Sequence, residues 1–335
     1  MEPRFDAFLL ISFGGPERPE DVIPFLENVC RGRDVPRQRL LEVAEHYYLF
    51  DGVSPLNAQN RALLAAAVDE FAAHGIRLPV YWGNRNWHPL LADTLRQMAD
   101  DGVRHALALV TSAFASYSGC RQYLEDIERA RCEVGAAAPQ VSKLRLFFNH
   151  PGFIEPLIER AAAALAEVSA ERRPSVPLIF TAHSLPASMA AACRYEEQLA
   201  AACRLVAEGV AKGTWHLAYQ SRSGPPSQPW LKPDVGDLVE SLHATAGVDA
   251  VVVVPIGFLC EHMEVVFDLD VELRARCEAL GVDLVRAATV GCHRRFVTMI
   301  RELVEERLDP ATPRLAIGPL AVPPDVCAAD CCPPR

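Results

Sequence analysis

Three features of the sequence predict an α/β fold of two similar Rossmann-like halves. Each half is a mostly parallel four-stranded sheet flanked by helices. Short apolar runs rich in strand formers alternate with amphipathic stretches along most of the chain. Several runs are continuously apolar, DAVVVVPIGF at 249–258 among them, as expected for strands covered by helices on both faces. Finally, FDAFLLISFGGP and PLIFTAHSLP end alike, each an apolar strand running into a small-residue turn ahead of a helix, which points to an internal pseudo-repeat.

Taken in order, the strands fall at 5–13, 78–84, 104–113 and 143–148, then at 176–182, 214–219, 249–256 and 282–288. Between them, apolar residues recurring at three- and four-residue spacings predict helices at 57–74, 89–101, 119–133, 152–168, 193–211, 235–246, 268–280 and 293–308. A polar connection near 150–175 separates a first half, 1–150, from a second, 151–310. The Pro- and Cys-rich tail, 311–335, allows no regular helix or central strand, and is expected as an extended strap, or as disordered chain unless something ties it down. Ligands of such sheets bind beyond the carboxyl ends of the strands. The active-site cleft is therefore expected between the halves, and the residues just after each strand become candidates.

Composition narrows the function. The 335 residues are 50% apolar and 23% charged, an ordinary globular mix. With 33 basic against 43 acidic residues the net charge is −10, which argues against a general grip on nucleic acid. No apolar run approaches a membrane span, and the N-terminal run stops at Gly14-Gly15-Pro16 without a cleavage pattern. The expectation is a cytoplasmic protein, with monomer favoured and peripheral membrane contact left open. Eleven cysteines are too scattered for a disulfide scaffold. Cys30, Cys193, Cys203 and Cys277 sit in helix-like stretches and read as reduced, buried thiols.

Candidate chemistry follows the strand ends. After the first strand the GxGxxG pattern is absent, so the Gly14-Gly15 turn suits close backbone approach to a flat ligand, with Phe13 offering its ring face. Arg31 and Arg33 are either a solvated helix end or a carboxylate-binding rim. His183 follows a buried strand, where a neutral imidazole can accept a proton or ligate a metal. Glu261, Glu264, Asp268 and Glu272 are spaced by three, four and four, one acidic stripe if the segment is helical. Unrelieved by lysine, stacked carboxylates there suit a divalent-cation path or a proton relay. The tail supplies Cys327, Cys331 and Cys332, one thiol short of a four-ligand site, and Cys120 is the best-placed fourth.

Seven stretches in order, LLISFGGPE, FLENVCRGR, GVSPLN, LPVYWGNRNWHP, FTAHSLP, YQSRSGPPSQPWLKPD and VPIGFLCEHMEVVFDLD, resemble the ferrochelatase family over nearly the whole chain. The likeness is greatest to actinobacterial-type enzymes, which the family links to iron insertion into coproporphyrin III rather than protoporphyrin IX. The resemblance implies metal-insertion roles for His183 and Glu264, with the stripe continuing through Asp268. It implies porphyrin contacts at Phe13, Arg31, Arg33, His46, Tyr47, Ser54 and Tyr117. Some relatives carry Tyr at the first of these, and Phe13 cannot ligate as that Tyr can. It also implies a 2Fe–2S cluster on Cys120, Cys327, Cys331 and Cys332, with ferrous iron and a porphyrin as substrates. Two other readings stay open on the sequence: another tetrapyrrole chelatase and a non-catalytic porphyrin or haem carrier. A zinc-binding structural tail is a further reading of the C-terminus alone.

Overall fold

The computed structural model describes residues 5–225, 227–328 and 330–333. The chain forms two compact units. The first takes the stretches up to Thr111, Gln122–Arg145 and Ile300–Pro313; the second takes Ser112–Arg121, Leu146–Met299 and the chain from Arg314 on. Among the described residues, no helix is long and apolar enough to cross a membrane.

In the first unit, β1 (Ala7–Ser12), β2 (Val80–Asn84), β3 (His105–Val110) and β4 (Gln140–Lys143) form a sheet in the order β2-β1-β3-β4. Every neighbouring pair is parallel, with Leu10 of β1 facing Trp82 on one side and Leu109 on the other. Both inner strands are buried along their whole length, which is why they read as unbroken apolar runs rather than alternating ones. On one face Leu9, Ile11, Ala106 and Ala108 pack with Leu95, Met98 and Ile127 from the flanking helices.

The second unit repeats the plan. Strands β5 (Leu178–His183), β6 (Trp215–Gln220), β7 (Ala250–Val254) and β8 (Asp283–Arg286) lie in the order β6-β5-β7-β8, again all parallel. The pseudo-repeat expected from the two strand endings is thus a repeat of topology. In each sheet the first strand in sequence sits between the second and third, so the connections run off in opposite directions at its carboxyl end. That switch point is where open α/β sheets leave room for a ligand. It falls at Phe13 in one unit and His183 in the other.

Two boundaries differ from expectation. The fourth strand is Gln140–Lys143, not 143–148. The mostly apolar stretch Leu144–Phe148 is buried and, after a last bond from the Leu144 N–H to the Ala108 carbonyl at 2.8 Å, leaves the sheet, because strong burial alone does not require ladder pairing. The segment expected as one helix over 268–280 is two pieces, a π-helical turn Asp268–Leu273 and a helix Arg274–Leu280, and a short helix Met263–Phe267 precedes them. The tail is an extended strap, as its prolines require. Asn149 holds it, accepting from the Ile317 N–H at 2.9 Å and donating through Nδ2 to the Leu320 carbonyl at 2.9 Å.

Candidate active site

His183 is the last residue of β5, the central strand of its sheet. Its Nδ1 donates to the Ser184 carbonyl, which turns Nε2 outward, 3.4 Å from Glu264 Oε1. The Tyr195 hydroxyl donates to the His183 carbonyl at 3.0 Å and steadies the strand end. Glu264 lies in the first turn of Met263–Phe267, so its carboxylate is delivered to the imidazole by a helix entering just beyond β7.

Electrostatics divide the acidic residues into two kinds. Burial disfavours the Glu264 charge, but the His183 cation and the hydrogen bond to it prevail and hold the carboxyl down at about 2. Burial likewise opposes charge on His183, and Glu264 overcomes it, raising the imidazole above its ordinary value. Each member of the pair thus favours the charged form of the other, and with side chains 30% and 50% exposed the pair is open to solvent screening. Asp268 behaves in the opposite way. Burial, with Glu264 and Glu272 as like charges, pushes its carboxyl up to about 7 against the lowering effect of the Ser221 hydrogen bond.

Three of the four residues in the expected stripe act on one another: Glu264, Asp268 and Glu272. Glu261 precedes the helix and is turned aside. Its carboxylate accepts from the Thr289 N–H at 2.8 Å and pairs with Arg286 at 3.0 Å. The same guanidinium binds Asp270 at 2.7 Å. The spacing argument presumed a continuous helix from 260, and the helix begins only at Met263.

Gln220 and Ser221 carry no role in the sequence reading, although YQSRSG is among the quoted stretches. Gln220 Nε2 donates to the Glu264 carbonyl at 2.6 Å and to Asp268 Oδ2 at 3.4 Å. The Ser221 hydroxyl donates to the same Asp268 oxygen. Ser221 sits at φ 62°, a left-handed conformation uncommon outside glycine. Their position at the end of β6, Gln220 as its last residue and Ser221 directly after it, was the available signal.

Six of the seven porphyrin candidates lie in the first unit. Phe13 follows β1 and is 38% exposed, its ring edge-on to Phe25, which in turn meets Tyr47 and Trp87. Arg85 lies over the Phe13 ring at 5.8 Å. Trp87 and Arg85, within GNRNW, were missed because nothing in their spacing marked them. His46 is half-buried on the helix Arg37–Tyr48, and burial together with Arg39 lowers its pKa. Arg31 and Arg33 are exposed just beyond the helix Val22–Val29, where Arg31 bonds Asn28. The Gly14-Gly15 turn has a packing reason: a Cβ on Gly15 would stand 2.7 Å from that of the buried Ser54. Tyr117 falls in the second unit, on a π-helical turn Tyr117–Arg121 that also carries Cys120.

Cys120 and Cys332 are buried; Cys327 and Cys331 are partly so. The Cys331 and Cys332 sulfurs are 3.5 Å apart, and Arg121 donates to the Cys331 carbonyl at 3.1 Å. Cys332 also hydrogen-bonds Cys193, a residue expected to be inert, and this bond draws the Cys193 thiol down to about 7 despite its burial. Among the described residues, no three His, Cys, Asp or Glu side chains are gathered to hold a single metal ion.

The fold resembles SirB from Bacillus subtilis with Fe3+, with a TM-score of 0.56 at 14% identity over 91% of this chain and 99% of that one. The sequence is far more specific. The pattern describing ferrochelatase matches residues 5–308, so the chain belongs to the ferrochelatase family. It is 53% identical over 330 residues to a ferrochelatase of Rhodopirellula baltica, covering 98% of this chain and 94% of that protein. It is 50% identical over 354 residues to the coproporphyrin III ferrochelatase of Streptomyces coelicolor, covering 99% and 94%. Against that of Frankia alni it is 54% identical, covering 98% and 87%. The activity is that of the family: insertion of ferrous iron into a porphyrin in haem biosynthesis.

Proposed function

We propose that this enzyme inserts Fe2+ into coproporphyrin III, with His183 and Glu264 at the insertion point. The observation that carries the roles is the 3.4 Å pairing of Nε2 and Oε1 at the switch point of the second sheet. Preference for coproporphyrin III rests on the relatives so named at about half identity over nearly the full chain. That porphyrin carries more carboxylates than protoporphyrin IX, and Arg31 and Arg33 are exposed cations suited to them.

Insertion must remove two pyrrole protons and bring a desolvated cation into the ring. Glu264, anionic at every physiological pH, attracts the cation. His183 must give up its Nε2 proton before that nitrogen can take a pyrrole proton or meet the metal, and the approach of Fe2+ favours this loss. Asp268, held near 7, picks up and releases protons at neutral pH as Glu264 cannot, and with Glu272 it forms the exit relay. Gln220 and Ser221 hold the Asp268 carboxylate, and Gln220 ties it to the backbone carbonyl of Glu264. In the first unit the half-exposed ring of Phe13 offers a face to the macrocycle, with Tyr47 and His46 among the contacts that the family resemblance implies.

A 2Fe–2S cluster on Cys120 and the tail thiols Cys327, Cys331 and Cys332 is the second part of this reading. Each iron of such a cluster takes two cysteines, so close pairs suffice, and Cys331 with Cys332 is one. Bound, the cluster supplies a covalent anchor for the tail rather than electrons, since metal insertion changes no oxidation state. Free thiols throughout suit a reducing, cytoplasmic setting.

An anaerobic assay with Fe2+, run separately with coproporphyrin III and protoporphyrin IX and followed by absorbance, tests the reading. Repeated turnover with a higher kcat/KM for coproporphyrin III is expected. A preference for protoporphyrin IX overturns the substrate assignment, and binding without turnover of either overturns the roles of His183 and Glu264.

A further inference from the structure

We infer that Asn57 is a positioning residue for the porphyrin-binding face of the first unit, an assignment that rests on the reading of Phe13 above. The bonds of one side chain carry it. Asn57 is the second residue of the helix Leu56–Ala73 and is wholly buried. Its Nδ2 donates to the Gly15 carbonyl at 3.2 Å, to the His88 carbonyl at 3.1 Å and to Glu17 Oε2 at 3.1 Å. Its Oδ1 accepts from Asn84 Nδ2 at 3.2 Å. Acceptors surround the nitrogen and a donor meets the oxygen, so only one orientation satisfies the carboxamide. Asn84, also wholly buried, carries the chain of bonds further. Its Nδ2 donates to the His88 carbonyl at 3.1 Å, and its Oδ1 accepts from Trp82 Nε1 at 2.9 Å.

These bonds join the turn after β1 to the loop after β2, the two segments at the switch point of the first sheet. Phe13 belongs to the first and touches the second. Asn84 faces Ser12 in the sheet register, and the pairing runs on past it: the Arg85 N–H donates to the Ser12 carbonyl and the Asn86 N–H to the Phe13 carbonyl, both at 3.0 Å. A Cβ on Gly14, at φ 84°, would stand 2.9 Å from that of Asn84, so the turn lies directly against it. The Phe13 backbone is clamped on both sides while its ring stays 38% exposed. A flat ligand gains affinity from a face that is fixed before it arrives, because ordering that face on binding would cost free energy. An apolar side chain at position 57 would fill the space but take this donor from the Gly15 and His88 carbonyls.

The test compares wild type with N57D, which keeps the shape but cannot donate to the two carbonyls and sets a like charge against Glu17. Arg61 holds the Glu17 carboxyl below its usual range, so that repulsion persists at neutral pH. Kinetics are run with coproporphyrin III and Fe2+ varied in turn, beside a titration of porphyrin binding. N57D is expected to raise KM and Kd for the porphyrin about tenfold, with kcat and KM for Fe2+ within about threefold of wild type. A residue needed only for folding would lower the active fraction, reducing kcat with both KM values kept; that result overturns the assignment, as does an unchanged porphyrin KM. A double-mutant cycle with F13A locates the effect. F13A alone is expected to raise the porphyrin KM, and N57D to add little to it. Full additivity, or a wild-type porphyrin KM in F13A, overturns the route through Phe13 and the proposal with it. Should N57D not fold, the uncharged N57S replaces it with the same expectations, and failure of both to fold assigns Asn57 to stability alone and overturns the positioning role. A wild-type protein that binds neither porphyrin overturns the reading of Phe13 itself, an outcome distinct from active wild type with an unaffected N57D.

Discussion

The two units share a strand order, an all-parallel sheet and a switch point, yet hold different chemistry there. At the end of β1 the chain offers Phe13 and a tight Gly-Gly-Pro turn whose glycine space is taken by Ser54. At the end of β5 it offers His183, with a carboxylate 3.4 Å away and a second carboxylate tuned near neutrality. Backbone geometry makes both places available to a ligand. Only the residues that fill them differ, a half-exposed aromatic ring in one unit and a paired imidazole and carboxylate in the other.

This contrast can be broken by exchanging those residues. The largest effect is expected from His183→Ala, where kcat falls about 10²- to 10⁴-fold, the range for loss of a positioned acid–base group, while porphyrin affinity holds. Steady-state kinetics with a separate binding titration checks it, and near-normal turnover would remove His183 from the mechanism.

Next comes Asp268→Asn, read by stability rather than rate. The folded carboxyl titrates near 7 against an ordinary 3.8, so the folded state holds its proton more tightly than the unfolded chain. The stability this supplies is complete below about pH 4 and disappears as the pH rises through 7. The Asn variant lacks that decline. Its advantage over wild type in urea unfolding should therefore grow between pH 4.5 and 7.5, by on the order of a few kcal/mol. A constant difference across that window would mean the carboxyl is not raised.

Smaller effects belong to the first unit. Arg33→Leu and Arg31→Leu are each expected to raise KM for coproporphyrin III about tenfold, roughly 1.4 kcal/mol, with kcat kept. A fall in kcat instead would assign them to the chemistry. Phe13→Tyr should be the mildest: turnover within about twofold, because ring packing on Phe25 is retained. A new phenolate-to-iron band in the product complex would show that only the missing hydroxyl keeps this position from the metal.

The halves were also unequally legible. Short apolar runs located seven of the eight strands, most plainly the inner ones, where burial on both faces leaves a direct mark on composition. The fourth was displaced because Leu144–Phe148 is apolar for packing outside the sheet. His183, Glu264 and Asp268 were readable from strand-end position and the lack of interleaved lysine. Glu261 misled, since a spacing argument cannot foresee that the helix starts at Met263 or that Arg286 claims the carboxylate. Gln220 and Ser221 went unseen for a related reason: each acts through a neighbour distant in sequence, and periodicity carries only local information.

Tyr195 links two of these themes. Its hydroxyl bonds the His183 carbonyl, and it stands two residues past Cys193, at the start of a helix. The lining of the sulfur pocket and the brace behind the imidazole are thus one continuous piece of backbone, too short to absorb a shift at one end. Damage to the thiols would reach the reaction as misalignment, a loss of aim with every reacting group still present.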